Sequence, residues 1–153
     1  MTATRARMGQ LIALVLMFWV GIPSASALAK ETSPFTVLTE AVEARVGQSS
    51  HIPLRVVVPP GCKVYRDKMG VEVLDAAGLT LGEVSFPPAE RALDPVFGTE
   101  RELYAMDVWI EVPIPPVTTP GSYAPVLDVR WQGCKGTLCY LPQQEQVTAR
   151  VTV

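Results

Sequence analysis

The chain has 153 residues with 13 basic and 15 acidic side chains, and its net charge at pH 7 is −2. A slightly acidic chain without a basic cluster is poorly suited to bind nucleic acid or an anionic membrane surface. Three cysteines and a single histidine restrict thiol and metal chemistry to a few positions.

Residues 1–27 have the three parts of a secretory signal peptide. Arg5 and Arg7 form a basic start, residues 11–22 form an apolar run, and Ala25-Ser26-Ala27 is a small-residue cleavage site, with cleavage after Ala29 as the alternative. The apolar run is shorter than the about 20 residues of a spanning helix. Cleavage after residue 27 leaves 126 residues with 11 basic and 15 acidic side chains, a net charge of −4. We therefore expect an exported protein in an oxidising compartment, whose mature chain does not insert into the membrane.

Residues 28–34 are predicted to be a polar N-terminal lead, and residues 35–153 have the texture of an all-β domain. Short runs rich in Val, Leu and Ile are separated by turn sequences such as "GQSS", "PPG" and "TTPGS". The predicted strands are 35–46, 51–58, 64–65, 71–75, 79–86, 102–113, 123–132 and 144–153. This spacing predicts a single immunoglobulin-like β-sandwich.

Two stretches of the predicted sandwich differ in character. In the strand 102–113, one face is predicted to carry Met106, Val108, Ile110 and Val112. Residues 86–102 are predicted to be a loop, longer and less apolar than a tight turn. Long loops in compact domains are often functional, so this segment is a candidate part of a site.

The cysteines Cys62, Cys134 and Cys139 are odd in number, so at least one thiol is free or shared between molecules. Cys134 and Cys139 flank "KGTL" between two predicted strands, at the neck of a hairpin. Directly opposed residues there have Cα atoms about 4.5–5.5 Å apart, which a disulfide can bridge. The pair could be a structural staple, a metal clip or a redox dithiol.

Loop length separates the staple from the redox pair. A Cys134–Cys139 bond closes only six residues and stabilises the fold by about 2 kcal/mol in the chain-entropy model. A bond from Cys62 would close a loop of more than 70 residues and contribute about 4.4 kcal/mol. Strained or exposed short disulfides are also the more readily reduced ones. These magnitudes favour a redox-active pair.

Metal binding and Cys/His catalysis have less support. Zinc requires four ligands, or three and water, and the chain has only His51 and no second close cysteine pair. A soft-metal site with Met69 or Met106 stays open, although no metal and no small-molecule cofactor is expected. His51 is expected to be structural. Lys135 is the one evident cation near the pair in sequence, so the cysteine that is attacked first stays undecided.

Three segments resemble the periplasmic N-terminal domain of the DsbD family of thiol:disulfide interchange proteins. "VRWQGCKGTLCYLPQ" (129–143) is similar to the family's active-site hairpin, with its "YQGC…CYPP" pattern. "GCKVYRDKMGVEV" (61–73) resembles its "GYYLYRKQIRI"-like strand. "DPVFGTERELYAMDVWIEVPI" (94–114) resembles its "FYGKSEIY"-like loop and following strand. The resemblance extends over residues 35–153.

The resemblance implies a specific activity for the pair. Cys134 and Cys139 would be the dithiol–disulfide couple of a thiol-disulfide oxidoreductase of the protein-disulfide reductase type, acting as an electron-carrier module without a cofactor. Its partners would be exported thioredoxin-like proteins. Because the chain lacks the family's membrane channel and thioredoxin-like domain, a separate membrane electron-transfer protein is also expected.

The resemblance also implies a cap loop that shields the couple. Val96 falls at the position of the shielding aromatic residue, Phe97 at the next position, and Asp94 matches an acidic loop residue. Tyr65 and Tyr140 match aromatic residues near the active site. Here the cysteines are separated by one residue fewer than in the best-known members, and the cap loop is one residue longer after its glycine.

Cys62 replaces an aromatic residue of the family strand and is expected to be a buried spectator. The competing hypothesis is a binding or chaperone-like sandwich in which the Cys134–Cys139 disulfide merely locks the hairpin.

Overall fold

The computed structural model describes residues 33–153, so the predicted signal peptide and most of the N-terminal lead lie outside the described residues. Short strands dominate this part of the chain, and one 3₁₀ turn (Arg66–Lys68) interrupts them. The strands are β1 (Thr36–Thr39), β2 (Val42–Glu43), β3 (Ser50–Val57), β4 (Cys62–Tyr65), β5 (Gly70–Asp75), β6 (Glu90–Asp94), β7 (Thr99–Tyr104), β8 (Val108–Ile114), β9 (Ser122–Tyr123), β10 (Val126–Trp131), β11 (Gly133–Lys135), β12 (Leu138–Cys139), β13 (Gln143–Thr148) and β14 (Val151–Thr152). Within residues 33–153, no helix is long and apolar enough to cross a membrane.

The strands form four small sheets with the orders β1-β3-β8, β13-β10-β5, β12-β11-β4-β7-β6 and β2-β14-β9. All the pairs are antiparallel except β2 with β14. Alternate apolar side chains of β3, β8 and β10 point inward, and Ile52, Leu54 and Val129 are fully buried. The prediction of an all-β, immunoglobulin-like sandwich is confirmed.

Three long predicted strands are each divided in two. The segment 35–46 forms β1 and β2, the segment 123–132 forms β9 and β10, and the segment 144–153 forms β13 and β14. The halves pair with different sheets, as β1 pairs with β3 but β2 pairs with β14. Strands that change sheets form the corners of a sandwich.

The prediction of a strand over residues 79–86 is wrong. This segment makes only an isolated bridge between Ser85 and Glu111, and the backbone N–H of Gly82 donates to the carbonyl of Pro113. Pro113 has no N–H to return a hydrogen bond, so the ladder along this edge of β8 cannot continue.

The prediction of a loop over residues 86–102 is also wrong, because most of this segment is the β6–β7 hairpin. Charged side chains obscure its strand pattern, and Arg91 pairs across the two strands with Glu102. Charged residues are common on edge strands such as β6, where they oppose aggregation. Only residues 95–98 form the connecting loop.

The predicted strand 102–113 is interrupted at residues 105–107. The Asp107 carboxylate accepts hydrogen bonds from the backbone N–H of Val58 and from Arg55. Met106 is 78% exposed and does not share the buried face of Val108, so its predicted position is wrong.

Candidate dithiol site

A two-residue hairpin turn brings Cys134 and Cys139 together. Cys134 in β11 directly opposes Cys139 in β12, and Lys135 opposes Leu138. Gly136, the first turn residue, has φ of 57°, as a type II′ turn requires at that position. The four residues between the cysteines are therefore one cross-strand pair, Lys135 and Leu138, and the two residues of the turn.

The two cysteines form a disulfide with a Cα–Cα distance of 3.9 Å, shorter than the expected range. Cys134 is fully buried, whereas Cys139 is only partly buried. Gly133, which precedes the pair, is required by close packing, since a Cβ there would meet the Phe35 ring and the carbonyl of Lys63. One sulfur is therefore inside the protein and the other lies toward its surface.

Strand β4 lies next to β11 and presents alternate side chains to two environments. Cys62 and Val64 pack into the main apolar core, whereas Tyr65 packs with Leu103 and Cys134 in a separate small cluster. Lys63 is two residues from Tyr65, so it lies on the same side of the strand. The side of the sheet that carries Cys134 thus also carries a lysine and a tyrosine.

A buried hydrogen-bond network extends from the sulfur of Cys134. The Tyr65 hydroxyl donates to Asp94 Oδ2 at 2.8 Å, and its oxygen is 3.2 Å from Cys134 Sγ. Lys63 Nζ is 2.6 Å from the same Asp94 Oδ2. The other carboxylate oxygen, Oδ1, accepts the backbone N–H groups of Val96 (2.8 Å) and Phe97 (3.2 Å). Asp94 is fully buried and has a donor on every side.

These contacts shift two pKa values in opposite directions. Burial acts to raise the pKa of Asp94, but hydrogen bonds from Lys63, Tyr65 and two backbone amides outweigh it and lower the pKa to about 2. Burial, the hydrogen bond to Asp94 and the negative charge of that carboxylate raise the pKa of Tyr65. At neutral pH the carboxylate is therefore ionised and the phenol keeps its proton.

The loop of residues 95–98 places an aromatic ring over this network. The Phe97 ring makes an edge-to-face contact with the Tyr65 ring, with 5.6 Å between ring centroids. Val96, which was expected from the sequence at the shielding position, is 38% exposed. The turn is closed by the N–H of Gly98, which donates to the Asp94 carbonyl at 2.7 Å.

Arg101, which sequence reasoning missed, holds the Phe97 ring from a second side. Its guanidinium carbon is 5.3 Å from the Tyr65 ring centroid and 4.9 Å from that of Phe97. One nitrogen of this guanidinium, Nη2, is 3.0 and 2.8 Å from the two carboxylate oxygens of Asp67. No sequence motif indicated this group, because its position depends on the pairing of β7 with β4 and β6.

Lys63 was missed as well, although period-2 alternation from Tyr65 could have indicated it. Lys135 was the one cation near the pair that the sequence made evident, but the structure places a second cation, Lys63, beside Cys134. Lys135 is exposed and lies next to Cys134 on the opposite side of β11, whereas Lys63 pairs directly with Cys134 across the β4–β11 ladder.

Tyr140 lies beside the hairpin, on the side of the main core. Its ring makes an edge contact with Phe35 at 5.9 Å, and its N–H donates to the Gly133 carbonyl at 2.9 Å. It is not part of the cluster of Tyr65, Leu103 and Cys134.

The other candidate residues are not part of the network beside Cys134. Cys62 is a free thiol, buried in the main core. His51 is half-exposed on β3, with Nε2 4.0 Å from Glu111. Over residues 33–153, no three His, Cys, Asp or Glu side chains are grouped as metal ligands.

Comparison with known proteins identifies a matching family and solved structures with a similar fold. The sequence profile described as "Thiol:disulfide interchange protein DsbD, N-terminal" matches residues 33–150. The reduced N-terminal domain of Neisseria meningitidis DsbD is 22% identical and has a TM-score of 0.50, with 67% of this chain and 78% of that chain covered. The complex between the DsbD N-terminal and PilB N-terminal domains from Neisseria meningitidis gives 21% identity and a TM-score of 0.52, with 73% and 80% covered.

No curated protein matches the chain. At these identities, the two solved structures show a shared fold. The profile match covers most of the sequence and includes the cysteine hairpin, the β4 strand and the β6–β7 loop. The chain therefore belongs to the family of DsbD N-terminal domains, which are thiol:disulfide interchange modules.

Proposed function

We propose that the protein carries electrons between exported thioredoxin-like proteins through the Cys134–Cys139 couple. The observation that carries this proposal is the disulfide itself, with one partly accessible sulfur and one buried sulfur beside a phenol. A structural staple requires no such neighbour. The activity is a thiol-disulfide exchange of the protein-disulfide reductase type, with the dithiol as the carrier.

The difference in burial supports a different role for each cysteine. A thiolate of the reduced donor attacks Cys139 Sγ, a bond forms between these sulfurs, and the electron pair of the broken disulfide leaves on Cys134. The second thiol of the donor, as its thiolate, then attacks the donor's first sulfur in the mixed disulfide. This step forms the donor's disulfide and releases Cys139 as a thiolate. The donor ends as a disulfide and this protein as a dithiol. Reduction of an acceptor follows the reverse order, with Cys139 attacking and Cys134 resolving.

The surface around Cys139 suits a protein partner. Phe97, Leu138 and Leu141 are 50, 47 and 80% exposed beside the hairpin and the cap loop. Exposed apolar groups around a reactive centre are typical of an interaction site. A domain of this family from Neisseria meningitidis forms a complex with the PilB N-terminal domain, which supports a protein partner here.

The proposed compartment is the periplasm, because the sequence of residues 1–27 has the features of a signal peptide. An oxidising compartment preserves disulfides that are not continuously reduced. A steady supply of electrons is therefore necessary, and we assign it to a membrane electron-transfer protein.

Trapping tests the proposal. In Cys134→Ser, the partly accessible Cys139 is expected to form a stable mixed disulfide with an exported thioredoxin-like protein, because no resolving thiol remains. Cys139→Ser is the matched control and is expected to trap far less, since Cys134 is buried. The Cys62→Ser protein should retain normal exchange.

The reduction potential gives the second test. A value well below about −300 mV, typical of structural disulfides, would refute the electron-carrier function. The competing binding-module hypothesis predicts that Cys134→Ala/Cys139→Ala keeps its partner affinity and loses only about 2 kcal/mol of stability.

A further inference from the structure

Two side chains donate to the same oxygen of a buried carboxylate. Lys63 Nζ and the Tyr65 hydroxyl lie 2.6 and 2.8 Å from Asp94 Oδ2. Asp94 Oδ1 is occupied separately by the backbone N–H groups of Val96 and Phe97. An ionised carboxylate only accepts hydrogen bonds. In the disulfide state, the one proton of the Tyr65 hydroxyl therefore points to Asp94.

Opening of the disulfide creates a second acceptor for that proton. The Tyr65 oxygen is 3.2 Å from Cys134 Sγ, and Cys134 is fully buried. When Cys134 leaves as a thiolate, a negative charge appears in a site without exposure to water. A buried charge without a hydrogen-bond donor is costly. Tyr65 can donate to this sulfur only if its hydroxyl turns away from Asp94.

Lys63 makes this turn possible, because it stays on Asp94 Oδ2 when the hydroxyl leaves. The two backbone N–H groups on Oδ1 are unaffected. The carboxylate then keeps three of its four donors. Without Lys63, the Tyr65 hydroxyl would be the only donor on Oδ2, and Asp94 would hold it against the thiolate.

We propose that Lys63 is a positioning residue that frees the Tyr65 hydroxyl to turn from Asp94 to the Cys134 thiolate during disulfide exchange. The proposal rests on the proposed function, since it concerns the thiolate formed when Cys139 is attacked. Lys63 acts through Tyr65 and touches neither the partner nor the reacting sulfur in this scheme.

The other charged groups at this site do not replace Lys63. Arg101 on β7 lies over the Tyr65 ring, but its guanidinium is engaged with Asp67 of the 3₁₀ turn at 2.8 Å. Lys63 on β4 is engaged with Asp94 on β6. The four charges therefore form two neutral pairs around the phenol. The direction of one hydroxyl, rather than a net charge, decides how the thiolate is stabilised.

A double-mutant cycle tests the proposal in the Cys139→Ser protein, where Cys134 is a free thiol. The pKa of Cys134 is measured by the ultraviolet absorbance of its thiolate, with Cys134→Ser/Cys139→Ser as the blank for Cys62 and the tyrosines. We expect Lys63→Met to raise this pKa by about one pH unit, a tenfold loss of thiolate, and Lys63→Arg to restore most of it. In a Tyr65→Phe background, Lys63→Met should change little.

Fully additive effects of Lys63→Met and Tyr65→Phe would overturn the proposal, because Lys63 would then act by its charge alone. An unchanged pKa in Lys63→Met would overturn it as well. Either result leaves the Cys134→Ser trapping untouched, so it does not bear on the electron-carrier function. If Cys134→Ser trapped no partner while the double-mutant cycle gave the expected non-additive result, the electron-carrier function would be refuted instead.

Carbon NMR provides a readout that does not depend on the folding of Lys63→Met. In labelled Cys139→Ser protein with Lys63 and Tyr65 intact, the Tyr65 ring signals should shift with the same midpoint as the Cys134 titration. The Asp94 carboxyl signal should remain that of an ionised group throughout. A Tyr65 signal that does not move, or an Asp94 that takes up the proton, would contradict the proposal.

Discussion

The two sides of strand β4 place cysteines in contrasting surroundings. On one side, Cys62 is 4% exposed and packs with Val64 in the main apolar core. On the other side, Cys134 of the neighbouring strand is also buried but lies beside Tyr65, whose hydroxyl connects it to Asp94. The two sulfurs hardly differ in burial, so the difference between them lies in their polar neighbours.

This comparison shows that burial by itself does not determine thiol chemistry. An apolar environment raises the pKa of a thiol and keeps it inert, whereas a donor or a cation stabilises the thiolate. The polar side of β4 carries Lys63 and Tyr65, which form a network with Asp94, whereas Cys62 on the apolar side packs in the main hydrophobic core. The following substitutions test whether the two sides differ in stability as well as in chemistry.

The largest effect is expected on the polar side, from Asp94→Ala. The substitution leaves the charge of Lys63 largely buried without a partner and removes the carboxylate that accepts the backbone N–H groups of Val96 and Phe97. Breaking a buried ion pair in this way should cost about 3 kcal/mol in the free energy of unfolding. Urea unfolding at neutral pH measures this loss. Asp75→Ala, on the exposed β5, is the control and should cost less than about 1 kcal/mol.

Acid unfolding provides an independent check on Asp94. Its pKa is lowered from 3.8 to about 2 in the folded protein, so the unfolded chain binds more protons between these values. The stability that this group contributes is present above pH 4 and is lost as the pH falls toward 2. The loss should be about 2 kcal/mol, and it should be absent from Asp94→Ala. An unchanged acid transition in that variant would contradict the assignment.

The apolar side should respond with a smaller loss of stability and no change in chemistry. Val64→Ala removes two methyl groups from a fully buried side chain and leaves a cavity, at a cost of about 2 kcal/mol. The rate of thiol-disulfide exchange with a protein partner should not change. Val46→Ala, at a half-exposed position, is the matched control for the truncation. A slower exchange in Val64→Ala would show that the two sides are coupled.

The smallest expected effect concerns access to the polar side. Arg101 stacks on Phe97 and is anchored by Asp67, so it holds the ring against Tyr65. Arg101→Met should open the loop and speed reduction of the disulfide by a small thiol. We expect a rate increase of about threefold, because the substitution removes one weak stacking contact. Arg101→Lys keeps the charge but not the planar fork, and should give an intermediate rate.

The matched control for Arg101 is Arg130→Met, which removes an exposed pair with Glu72 on a different sheet. Its reduction rate should equal that of the unmodified protein. A slower reaction in Arg101→Met would mean that the arginine attracts the incoming thiolate instead of closing the loop.

The limits of prediction from sequence follow from particular residues. Short runs rich in Val, Leu and Ile located β3, and alternation located β8, but the apolar run at 79–86 also predicted a strand that Pro113 on the adjacent strand does not allow. Charged residues concealed the β6–β7 hairpin, because the alternation signal depends on an apolar face. Met106 continued the alternation in sequence, whereas Asp107 bonds with Arg55 and Val58 and interrupts the strand.

The candidate site divides in the same way. The sequence alone determined the cysteine pair, because a two-residue turn with Gly136 makes Cys134 and Cys139 opposite by local geometry. The network beside the pair was decided only by tertiary structure. Asp94 is 29 residues from Tyr65, and Cys134 is 69 residues from it. Four strands, in the order β11-β4-β7-β6, must pair in one register before a lysine, a phenol and a carboxylate assemble beside one sulfur, and local pattern does not encode such pairing.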